Sequence, residues 1–107
     1  MYIDIRYIMF FMIRNFKSQA AQDIFDGINS KQARKIPIEL HSKVQRLFDQ
    51  LNAATQVETL KIPPSNRLEK LKGDLKTYWS LRVNHQLRVI FEWKDSEAFN
   101  VDIVDYH

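Results

Sequence analysis

Over its last third the chain alternates apolar and polar residues with period two, from Lys76 to Val83, Leu87 to Lys94 and Phe99 to Tyr106. The polar breaks Asn84-His85-Gln86 and Asp95-Ser96-Glu97-Ala98 separate the three runs. This pattern predicts three consecutive antiparallel strands, a meander. It narrows the choice of fold more than any other feature, because 107 residues suffice for one core between two layers but not for two cores.

The first half reads as helix. Ile13 to Lys17 predicts a short opening strand, and Ser18 is placed to cap a helix carrying Ala20, Ala21, Ile24 and Phe25 until Gly27 stops it. Asn29 to Lys35 is a polar, basic connector. Pro37 suits the first turn of a second helix, in which Leu40, Val44, Leu47, Phe48 and Leu51 recur at steps of three and four. Its other face carries Glu39, His41, Lys43, Arg46 and Asp49. Val57 to Leu60 forms a further short turn before Pro63-Pro64. The expected fold is α+β, a small antiparallel sheet with two N-terminal helices packed on one face.

Alternation also sorts side chains. Trp79, Leu81 and Val83 share one face of their strand, and Tyr78, Ser80 and Arg82 the other. On the next strand Leu87, Val89, Phe91 and Trp93 oppose Arg88, Ile90 and Glu92. One face packs on the helices, and the other presents Arg82, Arg88 and Tyr106. Two readings of that second face stand side by side. It is either an open surface whose guanidiniums and phenol bind phosphate and stack bases, or a set of cross-strand ion pairs such as Arg88 with Glu92 or Asp102.

The net charge of +3 is unevenly spread. Lys61, Arg67, Lys70, Lys72, Lys76, Arg82, Arg88 and Lys94 outnumber Glu69, Asp74 and Glu92, whereas the tail after Lys94 holds only acids. A basic middle points to a polyanionic partner. The absence of cysteine excludes a disulfide framework, a thiolate metal site and a thiol nucleophile, and fits a reducing, cytoplasmic setting. Met1 to Phe11 is apolar but short, and it carries Asp4 and Arg6, so no membrane association is expected. Gly27 and Gly73 are the only glycines, which leaves no phosphate-cradling loop. Dispersed acids argue against a metal-dependent nuclease; no metal and no cofactor are expected. His41 and His85 lack partners at metal spacing and read as structural or solvent-exposed.

Two stretches go beyond pattern: Ile62-Pro63-Pro64-Ser65-Asn66-Arg67-Leu68-Glu69-Lys70-Leu71-Lys72-Gly73-Asp74 with Tyr78-Trp79-Ser80-Leu81-Arg82-Val83-Asn84, and the terminal Val101-Asp102-Ile103-Val104-Asp105-Tyr106-His107. Together they resemble the HigB family of bacterial toxins within the RelE/ParE superfamily, from Met12 to His107. The opening Met12-Ile13-Arg14-Asn15-Phe16 is similar to the family's usual start, so residues 1–11 are expected to be an extension ahead of a toxin domain spanning 12–107. The resemblance implies a type II toxin that enters the ribosomal A site on the 30S subunit and cleaves messenger RNA there without a metal. It also implies a HigA-like helix-turn-helix antitoxin as partner. Position by position it carries over Lys72, Arg88, Asp105, Tyr106 and His107. Glu69 stands where some members have histidine, and Asn84 where some have arginine; Arg82 could supply the missing charge.

Such cleavage needs a base for the 2′-hydroxyl, an acid for the departing 5′-oxygen and cations on the crowded phosphorane. His107 suits proton transfer, with Asp105 holding it or acting as base, and Glu69 is the alternative base. Arg88 binds non-bridging oxygens with help from Lys72, and Tyr106 stacks on a base or positions a hydroxyl. Arg67, Lys70, Lys76 and Arg82 are expected to contact RNA. Against this stand a non-catalytic gyrase inhibitor of the ParE kind, for which the proton-transfer set would be superfluous, and a plain RNA-binding module.

Overall fold

A computed structural model of the protein describes residues 12–106. The reading of residues 1–11 as an extension, and His107, lie outside the described residues. Among the described residues two α-helices, α1 (Gln19–Phe25) and α2 (His41–Ala53), precede four strands: β1 (Glu69–Lys70), β2 (Tyr78–Arg82), β3 (Leu87–Lys94) and β4 (Glu97–Asp105). The sheet runs β1-β2-β3-β4, every neighbour antiparallel. This is the α+β architecture the alternation predicts.

Ser18 caps α1 as expected, its Oγ accepting from the Ala21 amide at 3.1 Å, and Gly27 ends the run in a left-handed conformation (φ 73°). Pro37 opens a single 3-10 turn, Ile38–Leu40, that leads into α2. The apolar stripe of α2 places Val44, Leu47, Phe48 and Leu51 against Leu81, Val83, Val89, Phe91 and Val101 of the sheet, all at 0–1% exposure. Phe16, Phe25 and Phe48 meet ring to ring at 5.2–6.2 Å between helices and sheet. Of the three, Phe48 is fully buried and contributes roughly 1.5–3 kcal/mol by removal from water, while Phe16 and Phe25 are partly buried.

Three details differ from expectation. Ile13 to Lys17 is not a continuous strand; it touches β4 through two parallel bridges, Ile13 to Ala98 and Phe16 to Val101, because Asn15 and Arg14 turn outward between them. The two-residue strand β1 emerges from the loop after Pro63-Pro64, too short for any period to register. The β3–β4 turn is only Asp95-Ser96, both with positive φ (52° and 64°), so Glu97 and Ala98 belong to β4. Paired positive φ values match the right-handed twist of a hairpin.

Candidate active site

The far side of the sheet is not bare. The loop after β1 folds across its centre, so that Leu71, Tyr78 and Ile90 are buried there with Leu75 and Val104 against them. Beyond this small cluster, at the end of β2 and start of β3, Arg82 lies directly opposite Arg88. Facing like charges destabilise a sheet, and among the described residues Arg82 has no ion-pair partner. The pair concentrates positive charge at this end of the sheet.

Arg88 is held from several directions. Nη1 donates to Ser80 Oγ at 3.2 Å and approaches the Arg67 carbonyl at 3.5 Å, Nη2 lies 3.6 Å from Glu69 Oε1, and Cζ sits 5.8 Å from the centroid of the Tyr106 ring. The Arg88 side chain is only 15% exposed but that of Glu69 is half exposed, so this ion pair is worth at most about 1 kcal/mol. A phosphate, which accepts both guanidinium arms in a fork, can displace it. The ion-pair reading of the sheet face is therefore partly realised, with a different acid. Glu92 instead accepts from Asn100 Nδ2 at 2.6 Å, and Asp102 Oδ1 accepts from the Ile103 amide at 2.8 Å.

The Pro-Pro segment positions Glu69 through a residue that does no chemistry. Asn66 is fully buried, donating to the Leu60 carbonyl (3.1 Å) and Gln50 Oε1 (2.9 Å), with Arg46 donating weakly to its Oδ1 (3.4 Å). So anchored, it fixes the next residue, Arg67, in a left-handed conformation (φ 46°) that costs a non-glycine residue about 1–2 kcal/mol. The turn sends the chain into β1, where Glu69 pairs with Ser80 beside Arg88. Arg46 and His41, expected on the solvated face of α2, are drawn into loop contacts; His41 Nε2 lies 2.8 Å from the Ile36 carbonyl.

The structure thus brings together Arg88, Arg82, Glu69, Tyr106 and the Arg67 backbone. It separates others from them. Asp105 pairs with Leu87, a helix-side residue, and accepts from Gln86 Nε2 at 2.8 Å in a groove of about 400 Å³ near Lys35 and Pro37. Lys70 turns towards the Trp79 ring (5.5 Å) and donates to the Lys76 carbonyl (2.7 Å), placing Lys70 and Lys76 at the opposite end of the sheet from Arg88. Lys72 is exposed in the loop after β1. Among the described residues no group of His, Asp and Glu gathers to hold a metal. Alternation placed Ser80 on the Arg82 face but not among the candidate site residues, although a small hydroxyl residue beside Arg82 on that face was the available signal.

A family model described as RelE-like toxin of type II toxin-antitoxin system HigB matches residues 14–107. The chain belongs to this family. It is 38% identical over 89 residues to "Toxin HigB-1" of Vibrio cholerae serotype O1, covering 83% of this chain and 92% of that protein. Against "Endoribonuclease HigB" of Proteus vulgaris it is 27% identical over 97 residues, covering 90% and 100%. Among solved structures, the YoeB dimer from Staphylococcus aureus superposes with a TM-score of 0.56 at 24% identity, covering 92% of this chain and 98% of that one, which shows a shared fold. Membership in the HigB-like family makes this chain a toxin of a type II toxin–antitoxin system.

Proposed function

We propose that the protein is a ribosome-dependent endoribonuclease that cleaves messenger RNA in the A site of the 30S subunit and so stops translation. The observation that carries this reading is the Arg82–Arg88 pair, two facing guanidiniums with one weakly held acid and a tyrosine ring beside them. That arrangement suits a scissile phosphate flanked by a base. In the reaction the 2′-oxygen attacks the adjacent phosphorus while the bond to the 5′-oxygen breaks. The products are a 2′,3′-cyclic phosphate and a 5′-hydroxyl. Arg88 and Arg82 carry the growing phosphorane charge without a metal. Glu69, freed from Arg88 as phosphate arrives, is the nearest described carboxylate for the 2′-hydroxyl proton. His107 is the proposed proton donor, which Asp105 supports only on turning from its Gln86 contact, and Lys72 approaches from its loop when RNA is bound. Arg67, Lys70 and Lys76 hold flanking RNA.

The relative named Endoribonuclease HigB supports the activity. A toxin of a type II system is paired with an antitoxin, and a solved relative is a YoeB–YefM toxin–antitoxin complex; a HigA-like helix-turn-helix antitoxin is the expected partner here. Ribosomes place the action in the cytoplasm, and among the described residues no helix is long and apolar enough to cross a membrane.

Translating ribosomes carrying a defined message, incubated with the full chain and mapped for 5′ ends, test the reading. Cleavage in the A-site codon that disappears with Arg88→Ala is the expected result. Intact message alongside inhibited DNA supercoiling would move the protein to gyrase inhibition.

A further inference from the structure

At the other end of β3 from Arg88 lies a groove of about 730 Å³, bordered by Lys76, Thr77, Glu92, Trp93, Lys94 and Phe99. Its centre is a deliberate construction. The β3–β4 register slips between Ile90 and Glu92, and Asn100 on β4 has a positive φ (51°). Bulges of this kind re-aim a side chain and gather beside functional sites. Here the bulge directs Asn100 at Glu92, and Asn15 locks it there: Asn15 Nδ2 donates to Asn100 Oδ1 (2.8 Å), and the Asn100 amide donates to Asn15 Oδ1 (2.9 Å). The Glu92 carboxyl is held below the usual carboxylate range, first by the hydrogen bond from Asn100, then by one from Thr77, with Lys17 and Lys70 adding charge. It is therefore a fixed, ionised acceptor. A carboxylate has about four acceptor positions, and the two donors leave capacity facing the groove.

We propose that this groove binds one base of a single-stranded RNA, with Glu92 accepting from the donor edge of guanine, Phe99 bordering the ring, and Lys76 and Lys94 holding the flanking phosphates. Guanine is the match because its N1–H and N2–H donors point the same way and fit one carboxylate, whereas adenine and cytosine offer a single amino group and uracil only its imino N–H. Lys70, Lys76 and Lys94 around the groove favour RNA over a peptide. Arg88 and Glu92 share a face of β3 four residues apart, roughly 13 Å at the rise of a strand, with the loop over Ile90 between them, so a single strand that joins the two sites passes over that loop. The inference rests on the nuclease reading and adds a sequence-reading subsite to it.

The test uses the full chain and non-cleavable 2′-O-methyl octanucleotides, either all uridine or with one guanine or one inosine, followed by fluorescence anisotropy. The guanine strand is expected to bind roughly tenfold more tightly than all-uridine, the size of one good bidentate base contact, with inosine between them. Glu92→Gln should erase that preference and leave the all-uridine affinity in place, an effect that a merely structural role for Glu92 would not produce. Lys76→Ala with Lys94→Ala should weaken every strand and flatten the salt dependence by about 1.4 in log–log slope, for two lost single-strand phosphates. A guanine preference that survives Glu92→Gln, or equal losses for all strands in that variant, overturns the proposal. If Arg88→Ala abolishes A-site cleavage while Glu92→Gln changes no binding, the nuclease reading stands and the groove falls. If the wild type neither binds these strands nor cleaves messages, both fall. On ribosomes, a cleavage preference for guanine near the A-site codon that is lost in Glu92→Gln assigns the base to the message. A loss that is independent of message sequence assigns it to ribosomal RNA.

Discussion

On its helix-facing side the sheet carries Leu81, Val89 and Phe91 at zero exposure beneath α1 and α2, whereas on the opposite side the buried apolar residues, among those described, are Leu71, Tyr78 and Ile90 under one short loop, with the Ser80 hydroxyl beside them. The first side is closed by a continuous apolar stripe of a thirteen-residue helix. The second leaves two arginines facing each other at one end and a lysine-bordered groove at the other. Stability is concentrated where the polar groups are few, and the cationic chemistry sits where the covering layer is thin. On the proposed reading, a face that receives an anion cannot also neutralise itself, and the weak Glu69–Arg88 pair fits that requirement.

Substitutions on the two sides should separate these roles. The largest expected effect is on the helix side: Phe48→Ala should cost about 3–5 kcal/mol in urea unfolding, as a fully buried ring leaves a cavity. A loss below about 1 kcal/mol would mean that the helices do not carry the fold. On the other side, Arg88→Ala should slow A-site cleavage by roughly 10²–10³, the cost of removing one charge stabiliser, with a smaller loss of stability than Phe48→Ala. Arg82→Ala sharpens the contrast further. Removing one of two facing guanidiniums should leave stability unchanged or raise it by up to about 1 kcal/mol, while cleavage falls by roughly tenfold. Lower stability with unchanged cleavage would return Arg82 to a structural role.

The smallest effect is acid sensitivity, which both sides share. Asp23 on the helix side is held below its ordinary value of 3.8 by hydrogen bonds from Ser30 and Gln19, and Glu92 below 4.5 by Asn100 and Thr77. A carboxyl whose folded pKa is depressed stabilises the fold above its unfolded value, and that contribution is lost as pH falls through the folded one. Unfolding free energy should therefore decline as pH drops below about 4.5 and further below 3.8. Asp23→Asn should flatten the lower part of the curve and Glu92→Gln the upper part. Profiles identical to wild type would remove these bonds from the stability of either face.

Much of this comparison is legible in the residues themselves. Period-two alternation assigned Leu81, Val83, Val89 and Phe91 to the core and Arg82 and Arg88 to the other face, because a strand's side-chain direction is fixed by local geometry. The α2 stripe and the Ser18 cap are equally local. The same alternation separates neighbours Asp105 and Tyr106, so their grouping in one site followed the terminal motif rather than the pleat.

What the chain alone determined, then, was its family, its two helices and three long strands in order, and the two faces of its sheet, since these depend on residue type and near-neighbour spacing. Only the tertiary structure decided which acid meets Arg88. Glu69 reaches it because buried Asn66 anchors a loop to α2, whereas Glu92, four residues along β3 from Arg88, accepts from Asn100 at the bulge. Gln50 and Asn66 lie 16 positions apart, and the bulge that brings Asn100 to Glu92 breaks the register that plain alternation assumes, so no spacing rule encodes either contact.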